Sequence, residues 1–181
     1  MGAGAEITDA RLAAYQPVTS RTLRALRRNM RAAAGQTPGG PMNTFFSKVV
    51  TDGSGDDGAW ADLGTFELTI PGDADGPSGA YLEVGCTVEL ENNSKAINAS
   101  AVFRLKIGGS TGSEETILQG SSSSTTSTTK TLTLDAATVT PDAPNTVTVE
   151  VKVTLSESSP IGTSTARFKW APDQHGLIRQ V

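Results

Sequence analysis

The sequence is nearly empty of the side chains that metal and redox sites use. Its 181 residues include one cysteine, Cys86, and one histidine, His175. A lone cysteine excludes an intramolecular disulfide and a cysteine-based zinc cluster, so a metal would have to be held by carboxylates. Aromatics are scarce at 5% and charged residues modest at 19%, while 19 glycines and many serines and threonines are present. That balance suits short strands and tight turns rather than a helical bundle. No apolar run approaches the roughly 18–20 residues of a membrane-spanning helix. The N-terminus, MGAGAEITDARL, lacks the basic-then-apolar succession of a secretory signal. These absences predict a soluble chain with no membrane contact, one that stays in the cytoplasm where it is made unless it leaves inside a particle.

Charge is divided unevenly. Residues 1–40 hold six arginines against Glu6 and Asp9, a net of +4, whereas residues 41–181 carry nine basic and seventeen acidic residues, a net of −8. A basic arm on an acidic body marks two segments with different tasks. The arm, residues 1–43, is read as a basic helix followed by a hinge. Thr19 or Ser20 can cap the helix through a hydroxyl oxygen. Leu23, Leu26, Met30 and Ala33 then fall at helical spacing and make one narrow apolar stripe. Gly35 ends it, and the stretch GQTPGGPMN cannot continue a helix. A helix of this length is marginal alone in water, where about 12–15 residues are needed, so residues 17–34 require a partner. Arg24, Arg27, Arg28 and Arg31 cover the opposite face. Without interleaved aromatics, and beside an acidic body that repels phosphate, they fit acidic residues of a protein partner better than nucleic acid.

The body, residues 44–181, alternates with a period of two. Strands are expected near 45–50, 65–70, 80–91, 96–107, 114–119, 128–134, 145–155 and 164–170. Leu82, Val84, Cys86, Val88 and Leu90 alternate with Glu83, Thr87 and Glu89; Ile97, Ala99, Ala101, Phe103, Leu105 and Ile107 alternate with Asn98, Ser100, Arg104 and Lys106. A turn at Asn92–Lys95 would join these two as a hairpin, with Val84 opposite Phe103, Cys86 opposite Ala101 and Glu83 opposite Arg104. Val147, Val149, Val151, Val153 and Leu155 repeat the theme. The fold class is mainly β, an antiparallel sandwich of about eight strands, jelly-roll-like in first choice and immunoglobulin-like in second. The run 120–131 reads as an exposed loop that feeds a strand at Leu132. The tail after Trp170 is too short for an element, although Leu177, Ile178 and Val181 suggest that it docks.

Candidate chemistry is thin. Asp52, Ser54 and Asp56 alternate as in a calcium loop. Asp57 stands where that loop takes glycine, and Leu63 where it takes a bidentate glutamate, so a solvated turn is expected there and also at Asp73 and Asp75. His175 reads as a surface residue of the tail. Cys86 lies on the inward face, where a thiol behaves as a small apolar group. No phosphate-binding glycine loop or nucleophile elbow is present. No catalytic residue, metal or cofactor is assigned.

The segments Ile7–Leu12, Gln16–Ser20 and Leu23–Asn29 resemble the N-terminus of tailed-bacteriophage virion proteins of the tail-fibre, collar and head-spike type. The resemblance implies a non-enzymatic virion subunit, commonly a homotrimer. Its arm would face the particle and its sandwich would face outward, where a host surface glycan is a candidate partner. Two alternatives are a capsid decoration protein, with the basic arm clamping acidic shell subunits, and a carbohydrate-binding module using Trp60, Tyr81 and Trp170.

Overall fold

The computed structural model describes residues 44–70, 79–93, 98–120, 124–156, 162–171, 174 and 176–180. The arm, with Leu23, Leu26, Met30, Arg24, Arg27, Arg28 and Arg31, lies outside these residues, as do Asp73, Asp75 and His175. All described elements are strands: β1 (Thr44–Thr51), β2 (Trp60–Thr69), β3 (Ala80–Asn92), β4 (Ala99–Ile107), β5 (Ser110–Thr111), β6 (Glu115–Gln119), β7 (Thr125–Ala136), β8 (Pro144–Leu155), β9 (Thr163–Trp170) and β10 (Gly176–Gln180). Each of the eight expected strands is present. β7 starts earlier than expected, at Thr125, because threonines suit a half-buried pleated surface.

Two antiparallel sheets result. In the first, which we call sheet A, β9 and β10 lie end to end on one side of β3, with β7 on the other and β1 outside β9. In the second, sheet B, β8 joins β2 to β4, and β5 and β6 lie end to end along the far side of β4. Alternate residues of every long strand point into the space between the sheets. Val84, Cys86, Val88, Leu90, Phe103, Leu105, Val147, Val149 and Phe168 are all fully buried there. Each such aliphatic or aromatic side chain contributes about 1.5–3 kcal/mol on burial.

The hairpin expectation is overturned. β3 pairs with β7, β9 and β10, and β4 with β8, β5 and β6, so the two strands belong to opposite sheets. Arg104 sits opposite Glu150, not Glu83. Both strands present an apolar face to the same core, so alternation alone cannot distinguish neighbours in a sheet from strands facing across it. The connection across residues 93–98 can reach about 20 Å extended, enough to cross the roughly 10 Å between sheets. The hairpin actually formed nearby is β4–β5, turned by Gly108 and Gly109 with φ 55° at Gly108, the position where a two-residue hairpin turn takes glycine.

The tail is also corrected: residues 176–180 are an element, β10, paired with β3 from Val84 to Ala80. Ile178 docks in the core, 1% exposed. Gln174 fixes the break between β9 and β10. Its Nε2 donates to Thr87 Oγ1 at 2.7 Å, and its Oε1 accepts from the Ala171 amide at 2.7 Å.

Candidate functional site: the outer surfaces of the sandwich

Sheet B turns a charged panel outward. The register aligns Arg104 with Glu150 and Asp62, and places Lys152 beside Trp60. Glu150 is only 5% exposed. Its carboxylate accepts from Arg104 Nε at 2.7 Å and from Lys106 Nζ at 2.9 Å. Arg104 also lies 3.5 Å from Glu114 and stacks its guanidinium 3.7 Å from the centroid of Trp60, with Lys152 Nζ at 5.1 Å. Burial pushes the Glu150 carboxyl up, but the hydrogen bonds and charges of Lys106 and Arg104 outweigh it and hold the group below its ordinary range. The hydrogen bond to Glu150 raises Lys106 in turn. A carboxylate locked ionised between two cations neither donates nor takes up a proton near neutrality. The panel braces β4 against β8. Sequence reasoning missed it because the hairpin register had already given Arg104 to Glu83.

On sheet A, Arg167 bonds Glu91 and lies 4.0 Å from Glu89. The thiol of Cys86 is fully buried and pushed up to about 12 by burial and by the charge of Glu115, which removes it as a nucleophile at neutral pH. The three aromatics considered for sugar stacking are engaged within the chain. Trp170 is 1% exposed against Phe66, Trp60 is overlaid by Arg104, and the Tyr81 hydroxyl donates to Glu83 at 2.9 Å. The burial of Trp170 corrects its candidacy outright.

The Asp52–Gly58 turn is organised by its acids. Asp57 Oδ1 accepts from the Leu155 amide at 3.0 Å and Oδ2 from the Gly53 amide at 3.1 Å, tying the turn to β8. Asp56 pairs with Lys48 at 3.1 Å. Gly53 and Gly58 adopt positive φ of 69° and 72°, which few other residues tolerate. Among the described residues, no three of His, Cys, Asp and Glu are grouped so as to hold a metal ion.

Among the described residues, the large apolar side chains that stay exposed are Phe45 (57%), Val49 (59%) and Leu118 (71%). Leu118 borders a shallow groove of about 440 Å³ with Ser100, Gly120, Thr154 and Ser156 on its walls. Phe45 and Val49 share the outer face of β1, the edge strand of sheet A.

No protein-family model matches the chain, and no curated protein matches it in sequence. Among solved structures it is similar to a chain in "Structure of infectious bursal disease virus Gx strain", at 11% identity and a TM-score of 0.35. The match covers 81% of this chain and 37% of that one.

Proposed function

We propose that this chain is a non-enzymatic structural subunit of a virion. The observation that carries the reading is the strand order. β1, β9/β10, β3 and β7 form one sheet, and β2, β8, β4 and β5/β6 form the other, so that, with β5/β6 and β9/β10 each counted as one interrupted strand, the chain changes sheet at every step except the β4–β5 hairpin. That is the order of an eight-stranded jelly roll, an architecture of viral capsid and lectin domains. The step from architecture to role is one of analogy. The N-terminal resemblance to tailed-bacteriophage virion proteins directs it toward a tail, collar or head-spike subunit. In this reading residues 17–34 anchor a homotrimer to the particle and the sandwich faces outward. The engagement of Trp60, Tyr81 and Trp170 within the chain counts against the lectin branch.

The test is to purify particles from cells that make this chain and to locate it by mass spectrometry and cryo-electron microscopy. A stoichiometric sandwich on the particle surface, lost on deletion of residues 1–34, is expected. Abundant chain in the lysate with none on particles refutes the reading.

A further inference from the structure

Two of the edge strands of sheet A, β7 and β1, are treated differently. At β7 the edge is covered by the connection from β5 to β6. The Ser113 amide donates to the Thr133 carbonyl at 2.8 Å, the Thr133 amide donates to Ser113 Oγ at 3.1 Å, and the Ala137 amide donates to Ser110 Oγ at 3.0 Å. Gly112 packs so closely on the Thr133 backbone that a Cβ there would collide with its carbonyl oxygen. At the opposite edge, β1 has β9 as its strand neighbour and, among the described residues, no other. Its sequence, TFFSKVVT, is rich in aromatic and β-branched residues and contains no proline. A strand of that kind is a template for pairing with another chain.

The exposed side chains of β1 also carry a symmetry. Ser47, 45 and 49 share one face, with Phe45 two residues before Ser47 and Val49 two residues after. A copy of β1 laid antiparallel about a two-fold axis through Ser47 places Phe45 opposite Val49 of the partner subunit, and Val49 opposite the partner subunit's Phe45. Aromatic against β-branched is among the favourable cross-strand pairs, and a self-complementary patch is what an isologous dimer requires. Lys48, the single charge on the strand, is already neutralised by Asp56 at 3.1 Å, so a second copy meets an ion pair rather than a bare ammonium. We propose that β1 is a homodimerisation edge, pairing with β1 of a second copy so that sheet A runs continuously across a two-fold axis. This two-fold contact is separate from the three-fold one proposed for residues 17–34: where both form, it joins two trimers, and without the trimer it joins two chains.

The test uses the full chain. Analytical ultracentrifugation should find a dimerisation step. Phe45→Glu/Val49→Glu and Phe45→Lys/Val49→Lys each set like charges directly opposite one another, and each should weaken that step about thirtyfold or more. Both positions are more than half exposed, so folding should be unaffected, and circular dichroism checks it. Mixing the two variants should restore association as a heterodimer. Ser47→Cys should cross-link two copies under mild oxidation because buried Cys86 stays inert, whereas Thr51→Cys, off the axis, should not. The proposal is overturned if the wild type shows no such step, if the charge variants associate unchanged, or if Ser47→Cys cross-links no faster than Thr51→Cys.

Discussion

Glu150→Ala tests which strands are neighbours. The carboxylate it removes is 5% exposed and bonds Arg104 at 2.7 Å. Stripping one partner from a fully buried ion pair costs about 3–5 kcal/mol. The Arg104 side chain keeps 17% exposure, so water recovers part of its solvation and the expected cost falls to about 2–3 kcal/mol. In a chain of this size that lowers Tm by about 4–12 °C. A double-mutant cycle with Arg104→Ala, read by urea denaturation, should give a coupling of about 1–2 kcal/mol, whereas Glu83→Ala with Arg104→Ala should couple by less than about 0.5 kcal/mol. The pH dependence has a definite sign. The folded-state pKa of Glu150 is depressed, so its contribution is present above the unfolded-state value and is lost as pH falls through the lower folded one. Wild type should therefore lose more stability than Glu150→Ala on acidification through and below the ordinary glutamate range. Coupling of Arg104 to Glu83 in place of Glu150 would restore the β3–β4 hairpin and refute the two-sheet assignment.

Two further outcomes follow from packing and capping. Gly64→Ala drives a Cβ into the ring of Phe46, which is stacked on Phe168 with centroids 6.1 Å apart. The substitution should cost about 1–3 kcal/mol in urea denaturation, and the cost should vanish in a Phe46→Ala background. Asp57→Ala deprives the Leu155 and Gly53 amides of their acceptor and should cost about 1–3 kcal/mol, with hydrogen exchange accelerating at Leu155 and unchanged at Val149.

By itself the sequence determined the mainly β class, the places of eight strands and the inward set from Leu82 to Leu155. Side-chain direction alternates with chain direction, so that information is local and needs no partner. It also showed that Cys86 points inward. Which strands pair was decided only by tertiary structure: the alternation of β3 and β4 reads the same whether they are neighbours or face each other across the core. Glu150 therefore found Arg104 through the β8–β4 register, and the tail became β10 because β3 offered a ladder beyond the end of β9. Asp57 shows the same division at one residue. Its neighbours Asp52, Ser54 and Asp56 alternate as in a cation loop, with Asp57 itself out of place in one, and its carboxylate is held by Leu155, 98 positions along the chain. No local pattern encodes a bond of that range, because its partner arrives only when the sheets close.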